Sequence, residues 1–275
     1  MNTRLLCFLL GLPVTLYGLI EFGFPYRASF FPGEPRLATP GLISLGVRTA
    51  GSIGKGECRF APEEDRHRAV HSSGAYITAN IGCHGYIGSM IVVDRLHDRR
   101  YSNSRCNNYR HGFSELFGGG AWCWCPSPHF DFIDFSCETG LLFPLFEKDQ
   151  HTAWGSRLAL SVGIFDWITA GIGGNLLFLF DHPGIQHHVN VFLKADHFLQ
   201  GFSFLFGLTY QAQKSSPPQA PSWRNTTLHI LMEYDLAQET HPHLPHISFF
   251  YNHLLSGKGA YQKLSLMGVE IGIDF

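Results

Sequence analysis

The stretch GVEIGIDF, Gly268 to Phe275, decides the reading of this chain. Counting back from Phe275, one parity holds Phe275, Ile273, Ile271, Val269 and Met267, all apolar. The other holds Asp274, Gly272, Glu270 and Gly268, which are small or acidic. Side chains alternate faces along a strand, so the segment has one apolar and one polar side. A half-buried strand of a soluble sheet reads the same way. The position is what differs: terminal residues fray when few contacts hold them, yet here the pattern persists to the last aromatic residue. A strand kept in full to that point is expected to be used.

The alternation recurs upstream. In Gly201–Ala212 the apolar parity runs Phe202, Phe204, Phe206, Leu208, Tyr210 and Ala212. In Thr227–Leu236 it runs Leu228, Ile230, Met232, Tyr234 and Leu236, opposite Thr227, His229, Glu233 and Asp235. Val189–Asp196, Arg157–Ile164 and Ala75–Gly82 repeat it, with Lys194, Asp196 and Arg157 on polar faces. These runs match the roughly 9–11 residues with which a tilted strand crosses a bilayer. Turn residues separate them at Asp181-His182-Pro183-Gly184, Ser215-Ser216-Pro217-Pro218 and Ser256-Gly257-Lys258-Gly259. Charged residues in mid-strand are costly unless their face meets water or paired partners, and a barrel lumen supplies both.

Composition agrees. Of 275 residues 15% are charged and 14% aromatic, with 24 Phe and 30 Gly. A soluble chain carries about a quarter charged residues. The formal net charge of -2 gives no electrostatic case for nucleic acid. At the N-terminus, Arg4 precedes the apolar run Leu5–Ile20, which is broken by Pro13 and followed by Glu21. It reads as an export signal over residues 1–24, with cleavage placed near Gly18 or Ala28, and the mature domain as 25–275. Leu5-Leu6-Cys7 lacks the small residue that a lipidation signal needs. Cys58, Cys83, Cys106, Cys123, Cys125 and Cys137 form an even set, which in an exported chain predicts disulfides of undetermined pairing.

Together the export signal, the dyad strands, the low charge and the terminal Phe275 resemble a bacterial outer-membrane β-barrel protein, over roughly Gly41–Phe275. The resemblance is to a superfamily pattern and implies an all-β, antiparallel transmembrane barrel in the outer membrane. It also implies that Phe275, Ile273, Ile271, Val269 and Met267 are the signal read by the barrel-assembly machinery. About ten to twelve strands are expected, falling to eight if N-terminal candidates are loops. The candidates lie near 41–52, 73–83, 85–94, 112–125, 129–143, 154–166, 168–180, 187–196, 199–212, 226–236, 246–255 and 263–275. Gly51–His71 and Val93–His111 read as long polar loops.

Three features could carry chemistry. His71-Ser72-Ser73-Gly74 resembles the H-x-S pair of outer-membrane lipid hydrolases, in which His71 would activate Ser73 toward an acyl ester, though Gly74 stands where those families place Asn. Asn80 is the candidate third member. His187-His188 and the loop His241-Pro242-His243-Leu244-Pro245-His246, with Glu239 nearby, could offer imidazoles to a divalent metal, but the spacing matches no metal motif and the reading assigns neither metal nor cofactor. The presumed lumen carries Arg157, Lys194, Asp196, His229, Glu233, Asp235, Glu270 and Asp274. Their mixed signs argue against strong ion selectivity. The expected function is a small pore for uptake or binding of small solutes, hydrophobic ones included, with outer-membrane lipid as surroundings. A lipid acyl hydrolase, an adhesive barrel and, at the level of fold, a soluble sandwich are the alternatives.

Overall fold

A computed structural model describes residues 43–53, 56–58, 66–82, 84–100, 106–124, 132–146, 152–165, 167–180, 184–199, 201–215, 223–235, 245–258, 261–263 and 265–275. The strands are β1 (Ile43–Ser52), β2 (Gly56–Cys58), β3 (Arg66–Ile81), β4 (Gly85–Arg100), β5 (Cys106–Trp124), β6 (Phe132–Pro144), β7 (Ala153–Phe165), β8 (Ile168–Leu179), β9 (Gly184–Leu199), β10 (Phe202–Ser215), β11 (Trp223–Asp235), β12 (His246–Lys258), β13 (Tyr261–Lys263) and β14 (Ser265–Asp274). Of the 14 strands in the sheet, β2 and β13 are three-residue pieces that pair with each other; the remaining twelve form the wall. Each wall strand is antiparallel to its chain neighbours, and β1 bonds both β3 and β14. The sheet therefore closes, which abolishes the free edge that lipid forbids. At the seam the β1–β14 register runs from Ser44↔Asp274 to Ser52↔Leu266, and Ile43 and Phe275 exchange backbone hydrogen bonds of 3.1 and 2.9 Å.

Every wall strand falls on an expected segment, and half of them are longer than expected. The corrections concern the loops. β3 starts at Arg66, inside the expected loop 51–71, and β4 and β5 pair across most of 93–111, with Arg99 opposite Cys106. The reason is physical: beyond the lipid band both faces of a strand meet water, so alternation vanishes from the sequence while the backbone ladder continues. The expected signal segment 1–24 lies outside the described residues.

The outer face is graded. Its middle is aliphatic, with Ile77, Leu158, Leu160, Ile172, Val191, Leu193 and Ile271 exposed. Toward the rim where β1 begins, aromatic residues gather: His84, Trp122 and Phe135 stack in series (6.2 and 5.8 Å), near exposed Trp124, Trp167 and Phe275. Toward the opposite rim, Trp154 stacks on Phe178 at 6.2 Å, and Tyr210 and Phe180 are exposed. An aliphatic belt between two aromatic girdles is the anatomy of a lipid-facing barrel wall. At the first rim, Gly82 (φ 62°) and Gly201 (φ 80°) adopt the left-handed conformation that the tight turns β3–β4 and β9–β10 require.

The inner face shows how ring size is accommodated. Tyr76, Phe117, Phe192 and Phe250 lie directly across a ladder from Gly46, Gly88, Gly171 and Gly268. Each ring occupies the space that a Cβ on its glycine would need. The rings thus lie flat on the wall and do not project toward the axis. Gly171→Ala is expected to lift Phe192 off the wall, at about 1–3 kcal/mol of overpacking. Urea unfolding of the refolded protein measures this, and adding Phe192→Leu should restore most of the loss.

Candidate functional site

Alternation along each strand sends one set of side chains outward and the other inward, and among the described residues the buried charged side chains belong to the inward set. Glu138 on β6 stands opposite Arg157 on β7, and Arg157 opposite Asn175 on β8. Arg157 Nη2 lies 2.8 Å from Glu138 Oε2, with both side chains under a tenth exposed. Tyr86 donates its hydroxyl to the same carboxylate oxygen at 2.9 Å. A cavity of about 30 Å³, lined by Glu115, Glu138, Arg157 and Asn175, has room for the water that would serve the remaining lone pairs.

A second charged sector surrounds the seam. Glu270 on β14 lies between Arg48 on β1 and Ser248 on β12, and Tyr76 donates its hydroxyl to Glu270 Oε1 at 3.1 Å. Arg48 lies over Gly74, and the buried Asp94 stands opposite Ser72. Between the two sectors, across β8 to β12, the inward face carries amide, hydroxyl and imidazole side chains together with Lys194, Glu233 and the apolar Phe192, Leu205, Leu231 and Phe250.

The residues expected to line the lumen distribute as follows. Arg157, His229 and Glu270 are inward and buried, at 8%, 2% and 0% exposure. His229 Nδ1 lies 2.8 Å from Asn252 Oδ1. Glu233 accepts a hydrogen bond from Ser248 at 3.3 Å, and Lys194 is half-buried. The side chains of Asp196, Asp235 and Asp274 lie outside the described residues. Sequence reading passed over Arg48, Asp94, Glu115, Asp134 and Glu138. With these included, the described inward carboxylates Asp94, Glu115, Asp134, Glu138, Glu233 and Glu270 outnumber Arg48, Arg157 and Lys194. Both signs are therefore present on the described inward face, with carboxylates in excess.

His71 and Ser73 are exposed on the outer face, with the buried Ser72 turned inward between them. Asn80, the candidate third member, is inward and buried, on the opposite side of the wall, so it does not join that pair. His187 and His188 likewise point to opposite faces: His187 is tilted against Tyr210 at 6.2 Å outside, and His188 is buried inside. His241 and His243 lie outside the described residues, and among the described ones no three ligating side chains gather. Cys123 and Cys137 sit on adjacent strands, but Cys123 faces Asp134 and Cys137 faces Gly120, on opposite sides, so they do not pair with each other. The side chains of the other four expected partners, Cys58, Cys83, Cys106 and Cys125, lie outside the described residues.

No protein-family model matches the sequence, and no curated protein matches it. Solved structures do match the fold. An outer membrane channel from Pseudomonas putida F1 aligns with TM-score 0.63 and 7% identity over 88% of this chain and 97% of that one. The fold is that of bacterial outer-membrane β-barrels. The transport unit of the autotransporter AIDA-I from Escherichia coli aligns with TM-score 0.53 and 8% identity, over 86% of this chain and 90% of that one. A KdgM porin, solved with disordered oligogalacturonate, aligns with TM-score 0.52 and 9% identity over 82% and 97%. At these identities the likeness is one of fold. A channel, a porin and an autotransporter unit share it, so function has to be argued from the inner wall.

Proposed function

We propose that the protein is a channel in the bacterial outer membrane through which small solutes cross. The inner wall supports this reading. It carries carboxylate, guanidinium and amide groups beside a buried apolar cluster that includes Met90, Val92, Phe113 and Leu142, four of its aromatic rings lie flat on glycines, and it belongs to a barrel of twelve wall strands, above the about eight at which side chains alone fill the interior. The lipid-facing belt between its girdles supplies the anchorage. In this reading the outward residues of the terminal strand, Met267, Val269, Ile271, Ile273 and Phe275, serve assembly, and β14 then forms the closing seam.

The test is single-channel recording of the detergent-refolded protein in a planar bilayer. Discrete steps are expected, with a reversal potential in a KCl gradient that favours K⁺, because carboxylates outnumber cations on the wall. Glu115→Gln should lower that preference. A silent bilayer containing inserted, folded protein would overturn the channel reading.

A further inference from the structure

The outer face of β1, β3, β4 and β5 changes character row by row toward the rim away from the β3–β4 turn. Leu45, Ile77, Ser89 and Leu116 form one outward row across these strands, and Val47, Ala75, Ile91 and Ser114 the next. Thr49, Ser73, Val93 and Gly112 follow, and the row after them is Gly51, His71, Arg95 and Arg110. The order is aliphatic, then hydroxyl, then cationic. His71, Arg95 and Arg110 are all exposed. Ten residues of β3 separate His71 from Ile81 beside the turn. At about 3.4 Å per residue and a strand tilt of about 40°, they climb about 25 Å, the height of the apolar band on an outer-membrane barrel. The cationic row therefore stands where hydrocarbon gives way to headgroups.

Arg95 and Arg110 are directly opposite each other across the β4–β5 ladder. Side chains so placed leave Cβ atoms about 4.5–5.5 Å apart, and like charges there repel. The wall offers no relief. Among the described residues the outward charges are Arg95, Arg110 and Arg224, all cations, while every carboxylate faces inward. Asp94, next to Arg95 in the chain, is buried on the other side of the sheet. The counter-charge for the pair has to come from what surrounds the barrel. Two guanidiniums side by side present forked donors that match the oxygens of a phosphate.

We propose that Arg95 and Arg110 together bind the phosphate of an anionic lipid, whose acyl chains run down the outer face over Ile91, Ile77 and Leu116. The apolar rows directly beneath the pair select a lipid over a free anion, since they hold the chains in line with the headgroup. The site lies outside the barrel and is independent of what the lumen conducts.

The experiment titrates the full chain, refolded in detergent, with phosphatidic acid or with phosphatidylcholine of the same acyl chains, and counts bound lipids by native mass spectrometry. The first phosphatidic acid should bind about tenfold more tightly than the first phosphatidylcholine. Arg95→Gln with Arg110→Gln should abolish that preference. Arg95→Lys with Arg110→Lys keeps the charge and loses the fork, so it should retain only part of the preference; it also serves as the test if the glutamine pair fails to refold. Arg224→Gln, which removes an outward cation on β11, should leave the preference unchanged, and inorganic phosphate at the lipid's concentration should not displace the lipid. No preference in the parent protein, a preference untouched by the arginine-pair variants, an equal loss in Arg224→Gln, or displacement by inorganic phosphate would each overturn the proposal.

Discussion

Replacing Arg157 with methionine is expected to destabilise the barrel by about 3–5 kcal/mol. The guanidinium is held 2.8 Å from Glu138 Oε2, and Glu115 lines the same small cavity. Removing the cation strands two carboxylates on a wall where neither is open to bulk water. The loss arises from charge left unpaired; the intact pair itself contributes little net stability, because desolvation offsets most of the Coulomb gain. The double variant Arg157→Met with Glu138→Gln should therefore recover much of the loss. Equilibrium urea unfolding of the refolded protein in lipid measures both. The size of the effect also reports on the lumen. A loss under about 1 kcal/mol is what an exposed ion pair would give, and would mean that Arg157 and Glu138 are screened by a wide water column.

How far the sequence carries can be judged at this same pair. Arg157 is legible from its own strand, since Leu158, Leu160, Val162 and Ile164 fix the outward parity and leave Arg157 inside. Glu138 is not, because its significance is its place opposite Arg157, and register between strands is absent from any single strand's pattern. The buried row of Asn175, His188 and Gln211 fails for the same reason: these are ordinary polar residues until three strands align them. Strand existence was legible wherever one face meets lipid, as for 168–180, found as Ile168–Leu179. It failed for Arg66–Val70 and for Arg95–Arg100, where the strands outrun the membrane and both faces are polar. The hydrolase motif shows the opposite error. His71 and Ser73 share a face, but a third partner taken from Asn80 ignores that its even position places it across the wall.

Val191→Arg is expected to cost about 2–4 kcal/mol, whereas Tyr210→Arg at the aromatic girdle should cost about 0–1 kcal/mol. Val191 is 45% exposed, and its register neighbours Ile172 and Leu208 are 49% and 42% exposed. In water an exposed valine surrounded by exposed aliphatics would accept arginine within about 0.5 kcal/mol. In hydrocarbon a guanidinium at this depth has neither counter-charge nor water within easy reach. The two sites therefore differ strongly in lipid and hardly at all in a soluble fold, so equilibrium unfolding from vesicles separates the membrane barrel from the sandwich alternative. Equal costs at both positions would remove the lipid from around the belt. A steep difference would place Val191 near the mid-depth of the bilayer, and with it the inward Asn190 and Phe192 on either side of it in the strand.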